Sequence, residues 1–285
     1  MSTDRGRTPR SGNRALLALS HSAAWLYAAA LLLPLYYLIV SSFKDNLSVL
    51  DTPFALPTSV TLGNFAKAFD DAQLGPGLAN SALVALGAAA LTIVLAVPAA
   101  YGIVTSPGRL GQVLEGIFSA GFLIPGFAAL VPTVLLAIAL NQFQTRQFLV
   151  AFLPSTALPL SVVLLVQFMR AIPRELEESA AMDGASRLKI LTAIYLPLVM
   201  PGVVTVTILN LINFWNEYLF ALILNGPDPE IRTAQVALPT LISATSTDYA
   251  VLAAGVLITL LPIYLAYAVA SRRMEQALLQ GALKG

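Results

Sequence analysis

Cysteine is absent from this 285-residue chain, and histidine occurs once, at His21. The first absence excludes disulfides and thiolate metal sites, and the single histidine excludes a histidine metal cluster; no serine–histidine constellation appears in the sequence. Charge is scarce too: 11% of residues are Asp, Glu, Lys or Arg, and the formal net charge is +1. Such a balance offers no footing for nucleic acid. No Gly-x-x-x-x-Gly-Lys-Ser/Thr phosphate loop occurs, so the chain carries no ATP-hydrolysing motif of its own. What it has in abundance is apolar sequence, with 57% hydrophobic residues and a mean hydropathy of +0.78. That composition describes an integral membrane protein.

Six apolar stretches, at 23–40, 78–104, 113–140, 148–169, 198–224 and 249–270, each exceed the roughly 17 residues that a bilayer crossing needs. The expected architecture is an all-α membrane domain over 15–285, preceded by a disordered cytoplasmic tail at 1–14. The first stretch is too long for a signal peptide and reads as an uncleaved helix. Pro125 and Pro132 break the third stretch, and Pro154 and Pro159 lie in the fourth. In a bilayer such breaks persist where protein or a watery cavity satisfies the freed backbone groups. A polar connection at 43–77 contains Leu62, Phe65 and Phe69 at helical spacing, a pattern for an element lying along the outer membrane surface. Asn80 and Ser81 read first as a cap for the second span and otherwise as lining of the outer vestibule.

Basic residues set the orientation. With the N-terminus inside, Arg5, Arg7, Arg10, Arg14, Arg109, Arg170, Arg174, Arg187, Lys189, Arg272, Arg273 and Lys284 face the cytoplasm. Lys44, Lys67, Arg146 and Arg232 alone face outward, and both termini are cytoplasmic.

The loop at 171–197 stands out as the longest run with several charges of both signs. Pro173 suits a first helical position, and Glu175, Glu177 and Glu178 suit the positive end of a helix dipole. Ser179, Ala180 and Ala181 are small enough for close packing. Gly184 can take the left-handed conformation that ends a helix. Ser186 then caps a second, amphipathic helix carrying Leu188, Leu191 and Ile194, running to Pro197. Two short helices around a glycine stop, set between membrane spans, form a docking element.

Glu178, Ser179, Ala180, Gly184, Ile194, Leu196 and Pro197 stand at the spacing of the EAA loop of ABC importer permeases, which this stretch resembles. The departure is Ser179 for the motif's first alanine, a small-for-small change. Asn80-Ser81, Pro125, Pro132 and the run from Trp215 through Asn216, Glu217 and Tyr218 to Leu219 extend the resemblance to the maltose-type carbohydrate permeases. The turn at 141–147, NQFQTRQ, departs from the Gly-Leu-rich turn more frequent in that family.

The resemblance implies a type I importer permease fold in the bacterial cytoplasmic membrane, with a cytoplasmic coupling helix between the fourth and fifth spans. It implies a second permease subunit, two cytoplasmic ATP-binding subunits and an extracellular solute-binding protein as partners, with a sugar as substrate. ATP and magnesium would be bound by the ATPase subunits, leaving this chain without a cofactor. Glu178, Ser179, Ala180, Asp183, Gly184, Ile194, Leu196 and Pro197 would then couple to the ATPase, with Glu178 in an ion pair.

The fifth span, LNLINFWNEYLF, places Asn210, Asn213 and Glu217 in one narrow sector at about 100° per residue, with Asn216 beside it. Polar groups at membrane depth face a bundle interior or a cavity. Two readings stand for Asn210 and Asn213: a translocation path that hydrogen-bonds a polyhydroxyl solute, or polar glue between helices. Glu217 reads as a gate or interface residue, and Trp215 and Tyr218 as stacking surface. The function expected is an ATP-driven sugar importer. Alternatives are the same importer class for glycerol phosphate or a polyamine, or a secondary carrier or membrane scaffold.

Overall fold

The computed structural model describes residues 12–243 and 247–282, with side chains from 19 to 268 within that range. Residues 1–11 of the expected tail lie outside the described residues, as do Arg5, Arg7, Arg10 and Lys284. The first helix, α1 (Gly12–Ser42), begins within that tail's expected bounds. Short helices α2 (Asn46–Asp51) and α3 (Gly63–Asp71) follow, then the long α4 (Leu74–Thr105). Next come α5 (Leu110–Gly121), α6 (Leu130–Ala139) and α7 (Arg146–Arg170). The charged loop holds α8 (Arg174–Met182) and α9 (Arg187–Ile190), leading into α10 (Leu196–Trp215). Helices α11 (Leu219–Asn225) and α12 (Ala234–Ala237) precede α13 (Tyr249–Ala282).

Among the described residues, five helical runs are long and apolar enough to cross a membrane: Leu19–Ser42, Leu74–Thr105, Arg146–Arg170, Arg187–Trp215 and Tyr249–Ala268. The expected third span is not one straight crossing, because its two halves meet at 87°. Pro125 causes the break. It disfavours helical backbone at the residue before it, and itself adopts an extended ψ of 125°. Pro132 does not break the helix, for it sits in the first turn of α6, where no intrahelical N–H is lost.

The bundle is built on α4 against α7. Fully buried Ala85, Ala88, Ala89, Ala96 and Ala100 let α4 approach closely. Two core clusters divide this pair lengthwise. One joins it to Phe214, Trp215, Phe220 and Leu224; the other, nearer α8, to Tyr195, Val199 and Val206. At Gly202 on α10 a Cβ would lie 2.5 Å from the Phe168 ring, so α7 and α10 touch there with no spare room. Helix α1 stands apart, only 6% buried across its most apolar window and packed chiefly on α13.

At the end opposite α8, the connecting segments interlock. Asn64 donates from Nδ2 to the carbonyls of Ser42 and Lys44, at 2.9 and 2.7 Å. Asn46 Oδ1 accepts from the Tyr249 N–H at 2.8 Å. Helix α3 does not simply lie along a membrane surface: Ala68 and Phe65 pack on Val251, Ala254 and Ile258 of α13, leaving Leu62 and Phe69 exposed.

Candidate functional site

Pro173 is the cap residue before α8 rather than its first helical residue, with an extended ψ of 132°. Glu175 and Glu177 occupy the first turn. After the cap residue Asp183, Gly184 takes φ +76°. Its N–H donates to the Ala181 carbonyl, and the Ala185 N–H to the Ala180 carbonyl, both at 3.0 Å. This pair of bonds closes the helix C-terminus, and the left-handed backbone is what requires glycine. Nothing lies within 4 Å of a Cβ placed at Gly184, so space does not require it. Ser186 Oγ accepts from the Lys189 N–H at 3.3 Å and caps α9.

The second helix of the loop does not stop at Pro197. A π-helical turn, Leu191–Tyr195, carries it straight into α10, making one run from Arg187 to Trp215. Pro197 lacks an N–H, and its ring crowds the carbonyl four residues back, at Ala193. A widened turn accommodates both. Ile194 and Leu196 are half-buried against the core beside α8, as is Ala180.

No residue of α8 is buried. Glu178, Ser179, Asp183 and Gly184 are exposed. So are Leu176, Met182 and Leu188, with Met182 at 88%. Apolar side chains on two short charged helices at the tip of a bundle are an uncovered contact surface. A cleft of about 420 Å³ separates α8 from the turn after α4, lined among others by Thr105, Ser106, Arg174, Glu178 and Ala181. Glu177, unlike its neighbour Glu178, turns inward, and its Oε2 accepts from the Tyr195 hydroxyl at 2.7 Å.

The expected polar stripe of the fifth span does not survive intact, because α10 ends at Trp215 and the chain breaks before α11. Asn210 is buried and donates to Ser161 Oγ on α7 at 3.0 Å, the geometry of interhelical glue. Trp215 is 8% exposed, and its indole N–H donates to the Thr259 carbonyl on α13 at 3.1 Å. It lines an apolar cavity of about 200 Å³ together with Ala82, Ile212 and Pro262. Glu217 Oε1 accepts from the Phe220 N–H at 2.8 Å and so holds the start of α11. Asn213, Asn216 and Tyr218 remain exposed. Asn216 donates to the Ile212 carbonyl at 2.8 Å and accepts from Gln235 Nε2 at 3.3 Å.

Asn80 and Ser81 are not caps. They sit inside α4 and bind the segment before and within α12. Asn80 Nδ2 donates to the carbonyls of Glu230 and Arg232, and its Oδ1 accepts from Arg146 Nη1 at 2.8 Å. Ser81 Oγ accepts from the Ala234 N–H at 2.9 Å. Arg232, itself buried, donates to the carbonyls of Ala72 and Pro227. Burial pushes the Arg232 guanidinium below its ordinary value, opposed by the Asp228 carboxylate. Sequence reading missed Tyr195, Ser161, Arg232 and Gln235. Their partners lie 18 or more residues away in all but the Arg232–Pro227 bond, and no local pattern announces such pairs.

Bent and proline-bearing spans around a tight α4–α7 pair, with an uncovered helix–glycine–helix loop at one tip, define a membrane transport component that works against other subunits. The family model "Binding-protein-dependent transport system inner membrane component" matches residues 92–276, and the chain belongs to that family. Over 98% of its length it is 30% identical to the diacetylchitobiose uptake system permease protein NgcG of Streptomyces coelicolor, covering 92% of that protein. It is 31% identical to the sulfoquinovosyl glycerol transport system permease protein SmoH of Agrobacterium fabrum, across 89% of each chain. A chain in the crystal structure of a bacterial ABC transporter that imports the acidic polysaccharide alginate shares the fold. Its TM-score is 0.80 at 20% identity, over 94% of this chain and 99% of that one.

Proposed function

We propose that this protein is one of two permease subunits of an ATP-driven carbohydrate importer in the bacterial cytoplasmic membrane. A second permease completes the translocation path, and an extracellular binding protein delivers the sugar. Two cytoplasmic ATP-binding subunits supply the energy, one of them receiving α8. The observation that carries this reading is α8 itself: Leu176 and Met182 exposed beside Glu178, on a helix closed by the Gly184 turn, with Leu188 of α9 exposed beyond it.

Charge supports the orientation. Arg109, Arg170, Arg174, Arg187 and Lys189 gather at the α8 end, which is therefore cytoplasmic. Lys44, Lys67, Arg146 and Arg232 lie at the other end, each bonded within the chain. Sugar as substrate is supported by the names of relatives, among them a melibiose/raffinose/stachyose import permease of Bacillus subtilis that is 27% identical. Asn213, Asn216 and Tyr218, with Gln235, offer neutral amides and a phenol, the groups that suit hydroxyl-rich solutes.

The test is uptake into liposomes holding this chain and its copurified partners, with binding protein added outside and radiolabelled diacetylchitobiose, melibiose and raffinose as probes. Uptake of one probe that requires ATP on the α8 side, and is lost in Glu178→Arg, is expected. Uptake that proceeds without ATP would contradict the importer reading.

A further inference from the structure

Tyr195 is the largest of the fully buried side chains, 1% exposed, and its ring lies edge-on to Tyr101 with centroids 5.0 Å apart. A phenylalanine would fill that apolar space equally well. The hydroxyl has a different use, for a buried polar group requires a partner, and the partner here is Glu177 on α8. Among the described residues, this is the one side-chain hydrogen bond that ties α8 to another helix. A carboxylate acceptor makes it stronger than a bond between neutral groups.

Its position gives the bond mechanical meaning. Tyr195 closes the π-helical turn through which the loop feeds into the fifth span. Such turns are local departures from helical register and recur at working sites. Helix α8 buries no residue fully and rests a half-buried Ala180 on the core, so it has little packing with which to drag the bundle. Force on α8 has three routes into α10: the chain through the Gly184 turn and α9, the half-buried Ala180 resting on the core, and the direct bond from Glu177 to Tyr195.

We propose that the Tyr195–Glu177 hydrogen bond is a latch that makes α8 and the fifth span move as one body, so that both are positioning residues for coupling. The proposal rests on the importer reading above. Glu178 and Glu177 then divide the work: the exposed carboxylate faces the ATPase, and the inward one grips the span.

The experiment uses the assembled importer in liposomes and records both ATP hydrolysis and uptake of whichever sugar probe is transported. Tyr195→Phe and Glu177→Ala should each lower sugar carried per ATP about fivefold, as loss of one charge-assisted bond allows. Each should leave assembly and at least half of the ATP hydrolysis in place. Glu177→Gln, whose amide oxygen still accepts from the phenol, should restore most of the ratio. The double variant Tyr195→Phe/Glu177→Ala should be no worse than either single one, because one shared bond is lost only once. An unchanged ratio in both single variants, or additive losses in the double, would overturn the latch. If the unaltered importer takes up no probe with ATP, the importer reading falls and the latch with it. If it transports and the variants match it, the latch alone falls.

Discussion

The two ends of this molecule are built in opposite ways. At the end away from α8, connecting segments are sewn into the bundle by buried side-chain bonds: Asn80 to three partners, Ser81 to Ala234, Arg232 to Ala72 and Pro227. At the α8 end, the loop buries no residue of its central helix, which rests a half-buried Ala180 on the core and, among the described residues, makes one side-chain hydrogen bond to the spans. The first construction resists movement. The second leaves an apolar and charged surface free for another protein and concentrates the mechanical connection in few groups. A transport component needs this asymmetry if one end must hold its shape while the other is pushed.

Substitutions that break the sewn end should cost the chain most. Asn80→Leu strands two carbonyls and the Arg146 guanidinium, and should lower stability by about 3 kcal/mol, read from the unfolding midpoint in detergent. Gln144→Gly should act in the opposite direction. Gln144 holds a left-handed φ of 60° at that same end, and glycine relieves about 1 kcal/mol there, raising the midpoint. Ser161→Ala tests the middle of the bundle. It removes the Asn210 partner, and bonds between membrane helices average about 0.6 kcal/mol, so a small drop is expected. Met182→Ser should change the midpoint least, by under about 0.5 kcal/mol, since the side chain touches little. It should nevertheless reduce recovery of the ATP-binding subunit in a pull-down, which is where the two ends part company. A stability loss at Met182 as large as at Asn80 would erase the contrast.

What the sequence discloses follows the range of the interactions. Gly184 as a helix stop and Ser186 as a cap depend on backbone groups within a few residues, and both were legible. The loop's position between spans, and the spans themselves, follow from hydropathy summed over long windows. The break at Asn216–Tyr218 was not legible, because NFWNEYLF continues a plausible helical pattern. The break depends on Trp215 reaching Thr259 on α13 and on Glu217 holding the Phe220 N–H. Pro125 announced a break in the third span, but the 87° turn depends on how the halves pack. Asn80 and Ser81 were misassigned as caps because their partners lie about 150 residues ahead. The departure at 141–147 also has a structural meaning. Asn141 and Gln144 take left-handed backbone in a turn where the family more often has glycine.

The absence of cysteine makes the most direct test simple, since any introduced thiol is unique on this chain. Met182→Cys places one on α8, and Asp51→Cys places one on the exposed tip of α2 at the opposite end. In membranes holding the partner subunits, a short thiol-to-photoreactive crosslinker should join the Met182→Cys chain to the ATP-binding subunit. The Asp51→Cys chain should not be joined to it. Crosslinking to the ATPase from position 51, or none from position 182 in vesicles that still take up sugar, would contradict the claim that α8 is the docking helix.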